Sequence, residues 1–316
     1  MSRSPDARAA KAASLGESAW DLDQLVAALR TARDDDARRG EPTGRQRPSR
    51  DALVEITRGL RAVLFPSHFG VSDFTDASID FFVGTTLDAG LRALEEQVRR
   101  CLGYAAAVSD AETATSRARE LVREFASRLP AVRSMLEADI GAAYDGDPAA
   151  TSRTEILLCY PGITAITHHR LAHELYRLGV PVLARVMSEI AHSNTGIDIH
   201  PGANIGARFF IDHGTGVVIG ETAEIGDRVR IYQGVTLGAR SFPLDVHGAT
   251  IKGIPRHPKI EDDVVIYAGA TILGRITVGR GSTIGGNVWL THSVPVQSHV
   301  TQAQTRQEVF DEGSGI

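Results

Sequence analysis

Two periodicities divide the chain. Through the stretches 51–65, 77–102, 115–144 and 164–192, apolar residues recur at i, i+3, i+4 and i+7, the spacing that lines one face of an α-helix. Pro66, Gly70, Gly103, Pro148, Pro161 and Gly162 punctuate them, as residues that stop or turn a helix do. The pattern predicts a domain of five or six helices over residues 50–195. Upstream, residues 1–49 are rich in charge, Ala and Arg and carry little to bury. Only 20–32 is patterned as a short amphipathic helix, and the rest reads as a mobile segment.

From about Gly196 the period becomes six. Ile260, Ile266, Ile272, Val278, Ile284, Leu290 and Val296 are branched aliphatics at every sixth position. Ile199, Ile205, Ile211 and Val217 form an earlier series. After a slip of two residues, Ile219, Ile225, Ile231 and Leu237 form another. Six matches neither an amphipathic helix nor an alternating strand. It fits a solenoid in which each hexad makes one short strand and one turn, with three hexads to a coil of about 18 residues. The prediction is an α+β protein in which a parallel β-helix over 196–298 follows the helices, and a polar tail spans 299–316. The repeat breaks between Leu237 and Ile260. An excursion over 239–257 can leave at a corner without disturbing the stacking, and such loops lie on binding faces.

Composition narrows the function classes. Among the 316 residues the formal net charge is −5, which argues against a nucleic-acid binder. No apolar run approaches the ~18 residues of a membrane span, and the first twenty residues lack the apolar core of a secretory signal. The two cysteines, Cys101 and Cys159, are too few for a disulfide framework or a thiolate metal site. They read as buried free thiols in a cytoplasmic protein. Lysine occurs only at 11, 252 and 259, so Lys252 and Lys259 mark a stretch that draws an anionic ligand.

Three segments carry chemistry that a solenoid corner does not need: Asp198-Ile199-His200-Pro201, Asp212-His213-Gly214-Thr215-Gly216 and Arg256-His257-Pro258-Lys259. Asp198 and His213 are 15 residues apart, close to one coil, which places them side by side on successive coils. Gly214 leaves the His213 ring uncrowded. An imidazole held by a carboxylate on one nitrogen, with the other free, takes a proton from a hydroxyl. His168, His169 and His173 read as helix surface or interface, and His200 as an interface or supporting residue. No set of residues reads as a metal site.

The stretches Asp198 to Gly206, Asp212 to Ala223, Gln233 to Gly238 and Arg256 to Ile260, with the helical-domain motif Asp147-Pro148-Ala149, closely resemble the serine acetyltransferases of bacteria and plants. These are hexapeptide-repeat acyltransferases, whose β-helix is left-handed. The resemblance implies transfer of acetyl from acetyl-CoA, as co-substrate, to L-serine, giving O-acetylserine and CoA, the first step of cysteine synthesis from serine. It implies His213 as general base with Asp198 orienting it, and Asp147, Asp212, Arg256 and His257 holding the amino acid. Gly238, Ala239, Ala268 and Gly286 match the family's CoA groove, although Ala239 replaces the usual Gly and Thr283 stands where Lys is frequent. Lys252 or Arg280 is a candidate for the missing charge. The resemblance further implies a site shared between subunits of a homotrimer or dimer of trimers, and inhibition by L-cysteine, whose thiol replaces the serine hydroxyl.

Three other readings compete: an acyltransferase for a sugar or homoserine, a γ-type carbonic anhydrase with zinc on histidines such as His200 and His213, and a non-catalytic scaffold. The joint presence of Asp147, Asp212, Arg256 and His257 suits a zwitterion better than a sugar. The tail ends Gly313-Ser314-Gly315-Ile316, and the resemblance implies that Ile316 docks into O-acetylserine sulfhydrylase, by capture of a C-terminal carboxylate. Deleting Ile316 is expected to abolish co-elution with that enzyme; unchanged co-elution would remove the tail as the docking element.

Overall fold

A computed structural model describes residues 21–38, 47–70, 75–104 and 111–302. Ile316 therefore lies outside the described residues, as does most of the segment read as mobile. The chain forms two compact units, residues 1–46 and 47–316. In the first, helix α1 (Leu22–Arg38) carries Leu22, Leu25, Val26 and Leu29 exposed along one face.

The second unit contains, among the described residues, helices α2 (Arg50–Leu64), α3 (Pro66–Phe69), α4 (Asp76–Tyr104), α5 (Ala111–Gly146), α6 (Arg153–Cys159), α7 (Pro161–Arg177) and α8 (Pro181–Thr195). That is one or two more than the periodicity predicts, because α3 and α6 are too short to show it. Their ends follow local chemistry. Ser49 and Ser152 accept hydrogen bonds from Ala52 N and Glu155 N at 3.2 and 3.1 Å, and so satisfy first-turn donors. Pro161 and Pro181 open α7 and α8, where the missing N–H is no loss. Gly196, at φ 69°, ends α8 in the left-handed conformation and hands the chain to the first strand. No described helix is long and apolar enough to cross a membrane.

Among the described residues, fourteen short parallel strands then wind through three sheets. The first sheet stacks Asp198–Ile199 (β1), Val218–Ile219 (β4), Thr236–Gly238 (β7), Thr271–Leu273 (β10) and Trp289–Leu290 (β13). The second stacks Asn204–Ile205 (β2), Glu224–Ile225 (β5), Lys259–Ile260 (β8) and Thr277–Val278 (β11). The third stacks Phe210–Ile211 (β3), Arg230–Ile231 (β6), Val265–Ile266 (β9), Thr283–Ile284 (β12) and His299–Val300 (β14). In each strand one residue points into the prism and its neighbour points out.

Ile199, Ile219, Leu237, Ile272 and Leu290 are buried as one inner column of the first sheet. Each such aliphatic contributes roughly 1.5–3 kcal/mol by burial. Val296 breaks the expected series. It is 62% exposed because the last coil is short: Val278 pairs with Val294 and Ile284 with Val300, a spacing of 16 rather than 18 residues. Cys101 is buried but Cys159 is exposed, at the end of α6, so only one of the two thiols is internal.

Helices and coils share one continuous core, and one buried ion pair joins them. Arg170 of α7 donates to both carboxylate oxygens of Asp139 in α5, at 3.0 and 3.1 Å, and to Ile205 O and Gly206 O at 2.7 Å each. Asp139 also accepts from Phe209 N at 2.9 Å. Arg170→Met leaves the carboxylate buried without its cation, and is expected to cost about 3–5 kcal/mol in a denaturant melt; a loss below about 1 kcal/mol would mean that the pair is not what joins the two layers.

Candidate active site

Two corners of the prism flank the first sheet, and the candidate residues divide between them. The corner from the third sheet to the first is formed by residues 212–217, 232–235, 267–270 and 285–288 on successive coils. Six residues turn there in the first coil and four in each later one, so the two-residue slip in the hexads falls at Asp212 and His213. His213 adopts φ 58°, followed by Gly214 at 90° and Gly216 at 79°. A left-handed conformation costs a non-glycine residue roughly 1–2 kcal/mol, and such strain concentrates at functional sites. The turn lifts the His213 ring to 73% exposure, with Nε2 3.9 Å from Asp212 Oδ1.

Asp212 itself is nearly buried. Its Oδ2 accepts from Arg230 Nη2 at 3.0 Å, and Arg230 Nη1 donates to Gly146 O at 2.6 Å. The next residue, Asp147, follows the end of α5. Its carboxylate accepts from Tyr160 Oη at 2.5 Å and Ala149 N at 2.8 Å. These bonds, with weaker attraction from Arg230 and His213, hold its carboxyl below the usual range. The same contact raises the Tyr160 hydroxyl. Asp147, Asp212 and His213 thus form one cluster with two anionic oxygens beside an open imidazole.

The second corner, from the first sheet to the second, holds Arg256 and His257 at the end of the long excursion. Thr222 anchors its return: Thr222 Oγ1 accepts from Arg256 N at 2.9 Å and His257 N at 3.1 Å. Thr222 N donates to His257 Nδ1 at 3.0 Å, which leaves Nε2 as the ring nitrogen bearing hydrogen. A Cβ at Gly220 would lie 2.0–2.1 Å from the ring, so only glycine leaves the imidazole room. Glu221 accepts from Arg256 Nη2 at 2.6 Å and from Tyr176 Oη at 3.0 Å. Arg275 Nη1 donates to Thr222 O and His257 O at 2.8 and 3.0 Å. Burial, followed by the field of Arg256, pushes His257 down to about 4. At neutral pH it is a neutral donor, and Arg256 carries the positive charge.

Asp198, at the start of β1, belongs with this second group. It lies 3.7 Å from Arg185, which also pairs with Glu189 at 2.6 Å, and its charge reaches His200. Glu189, His192 and Asp198 could converge on a cation, but Arg185 already supplies positive charge to both carboxylates. The adjacency expected of Asp198 and His213 does not occur within one chain. The first coil spans 20 residues, Asp198 pairs with Val218 rather than with the His213 turn, and no hydrogen bond or ion pair joins the two among the described residues. Nor does the excursion carry Arg256 and His257 over His213; they sit at the other edge of the sheet.

The small residues divide likewise, Gly238 and Ala239 toward the second corner, Ala268 and Gly286 at the first. A Cβ at Gly286 would meet Ala268 O at 3.2 Å, so these two neighbour each other across coils. Arg280 lies at the third corner, remote from both edges, with its N–H on Glu261 at 2.8 Å. Lys259 pairs with Glu224 at 3.0 Å on the second sheet. His168 and His169 are buried, not on the helix surface, because α7 is covered by both helices and coils. His200 packs edge-on against Tyr176, with centroids 5.7 Å apart. Sequence reasoning missed Tyr160, Arg230 and Arg275, whose partners are distant in sequence. The roles of Glu221 and Thr222 were also unread, although both fall within the quoted motif.

Two family models match: "Serine acetyltransferase, N-terminal" over residues 90–168 and "Bacterial transferase hexapeptide (six repeats)" over 257–292. A curated relative, "Serine acetyltransferase, plasmid" of Synechococcus elongatus, is 58% identical over 304 residues, covering 94% of this chain and 95% of its own length. The chain belongs to the serine acetyltransferase family. The β-helix is accordingly the left-handed one of that family. Among solved structures, serine acetyltransferase isoform 3 of Entamoeba histolytica in complex with cysteine aligns with TM-score 0.69 at 35% identity, over 85% of this chain and 86% of that one. The Neisseria gonorrhoeae serine acetyltransferase in complex with serine aligns with TM-score 0.52 at 29% identity, over 80% and 97% of the two chains. The acyltransferase reading therefore prevails over the carbonic anhydrase and scaffold alternatives.

The site also fixes how the fold responds to acid. His168, His169, His173, His200 and His257 are all held below the ordinary histidine value, each chiefly by burial. Between about pH 6.5 and 4.5 the unfolded chain then binds more protons than the folded one, so stability rises with pH across that window. Thermal melts are expected to fall from pH 7 to 4.5. The lowered carboxylates Asp147, Glu221 and Glu224 add their loss only below that range. His257→Asn, which keeps an acceptor for Thr222 N, should flatten part of the slope; an unchanged slope would mean that His257 is not held neutral.

Proposed function

We propose that this chain transfers an acetyl group from the thioester of acetyl-CoA to the hydroxyl of L-serine, in a site completed between two copies of the chain. The observation that carries this reading is the division of the candidate residues between the two edges of one sheet. The outward column of that sheet is Asp198, Val218, Thr236, Thr271 and Trp289, with Val218 39% and Trp289 70% exposed. Apart from Asp198 it is uncharged. The second sheet's outward column contains the Lys259–Glu224 pair and suits water. Three copies around a three-fold axis, with the uncharged column facing inward, bring the His213 corner of one against the Arg256 corner of the next. Closed rotational symmetry then gives three identical sites.

In each site Asp147 and Asp212 receive the ammonium of serine, while Arg256 and the N–H of His257 receive its carboxylate. His213 takes the proton from the serine hydroxyl as its oxygen attacks the thioester carbonyl. Asp198 of the neighbouring copy stabilises the imidazolium. The carbon–sulfur bond then breaks, the thiolate recovers the proton, and O-acetylserine and CoA leave. Gly238 and Ala239 of one copy and Ala268 and Gly286 of the next give the CoA arm close access to backbone. L-cysteine fits the same ammonium and carboxylate contacts, a reading supported by the cysteine-bound relative, and is expected to raise the apparent KM for serine. The exposed thiol of Cys159 suits a reducing cytoplasm, and Ile316 remains the proposed contact to the sulfhydrylase.

A serine-dependent thiol-release assay tests the chemistry. His213→Ala is expected to lower kcat at least about 100-fold, the range of a lost general base; a loss within about tenfold would remove it from that role. Co-expression of His213→Ala with Asp198→Asn tests the sharing. If Asp198 serves the neighbour's His213, random mixing restores about a quarter of the wild-type sites. If both act within one chain, mixing restores none.

A further inference from the structure

Arg230 bonds both to Asp212 and to the residue that precedes Asp147. It lies on β6, one coil beyond the Asp212 turn, and no sequence motif singles it out. Its guanidinium donates to Asp212 Oδ2 at 3.0 Å and to Gly146 O at 2.6 Å, so one rigid fork joins a β-helix turn to the end of α5. Gly146 is the residue before Asp147, and a bond to its carbonyl therefore locates Asp147.

Two rings hold the fork in place: its carbon lies 5.0 Å from the centroid of Phe210 and 4.8 Å from that of Tyr232. Tyr232 is backed in turn by Tyr267, stacked at 5.1 Å and 10°. The close fit extends to Gly146, where a Cβ would meet the Phe210 ring at 3.1 Å and Arg230 Nη1 at 3.5 Å. Among the described residues Arg230 Nε is buried without a hydrogen-bond partner, so ring packing and the Nη bonds set the orientation of the guanidinium.

We propose that Arg230 is a positioning residue that sets the separation of the Asp147 and Asp212 carboxylates and so determines affinity for the ammonium group of the amino-acid substrate. This rests on the reading that those two carboxylates receive the ammonium. Arg230 also neutralises one of the two negative charges, so the cluster presents about one unit of charge to a singly charged ammonium. Without it the carboxylates repel each other, and the α5 end loses its tie to the β-helix. Lysine supplies a point charge but cannot form both bonds in one plane.

Steady-state rates with L-serine varied at saturating acetyl-CoA test this. Arg230→Met is expected to raise the serine KM about tenfold or more, with kcat changed less than about threefold and the acetyl-CoA KM unchanged, as for lost uniform binding. Arg230→Lys should give an intermediate serine KM, which keeps the test available if the Met variant does not fold. In an Asp147→Asn background, Arg230→Met should add little, because coupled residues are not additive. A wild-type serine KM in either Arg230 variant, or effects that simply multiply with Asp147→Asn, would overturn the proposal. A wild-type serine KM in Asp147→Asn alone would instead sink the reading on which it rests.

Discussion

The cluster of Asp147, Asp212 and His213 owes its position to the buried pair of Asp139 and Arg170. Burying two charges is costly, and their attraction offsets that cost only when the remaining donors and acceptors are also satisfied. Here the guanidinium spends its other bonds on Ile205 O and Gly206 O, and the carboxylate takes a further N–H from Phe209. All those backbone partners belong to the first coil, from the end of β2 to the start of β3. The pair therefore locks α5 and α7 onto that coil in a single register. From Asp139 the chain runs two helical turns to Gly146 and Asp147; from Phe209 it runs through β3 to Asp212 and His213. The cluster of Asp147, Asp212 and His213 is the meeting point of those two paths, a few residues beyond one rigid joint.

A solenoid is regular wherever stacking alone dictates its sequence. The candidate residues occupy two of the places where it departs from that regularity. The first is the turn with two extra residues, which pushes His213 into a left-handed conformation and out into solvent. The second is the excursion between β7 and β8, which returns through Thr222 and delivers Arg256 and His257. Both departures leave the inner columns unbroken, because a corner can lengthen without moving the strands it joins. Function is thus added at corners of the first sheet while the aliphatic core carries the stability.

This also explains what the sequence made legible. Hexads announce themselves because each strand contributes one inward aliphatic, so the coil was readable from Ile199 to Leu290. The series failed at Val296, where a short final coil moves the inward position to Val294 and Val300. The helix pattern reads His169 as surface or interface because periodicity describes one covered face, whereas α7 is covered on more than one side. Proximity of Asp198 to His213 was inferred from their spacing alone. Spacing gives neither the length of a particular coil nor the sheet edge on which a side chain stands. Arg230 and Arg275 were invisible because their partners are 18 to 84 residues away.

The charges of the two half-sites follow one rule. Asp212 is matched by Arg230 and Arg256 by Glu221, while Asp147 is held by hydrogen bonds from Tyr160 and Ala149. An unpaired ion partly removed from water would oppose both folding and assembly. A zwitterion brings one charge of each sign to such a site and leaves the total unchanged, which favours an amino acid over a ligand of net charge. Within that balance His213 stands apart: its ring is exposed, and its nearest carboxylate oxygen is 3.9 Å away, beyond hydrogen-bond range. Among the described residues, His213 is thus the group that the fold of a single chain leaves without a hydrogen-bonded carboxylate. If, as proposed, a neighbouring copy supplies that carboxylate, activation of His213 depends on assembly, and acetyl transfer is confined to the state in which the substrate is enclosed.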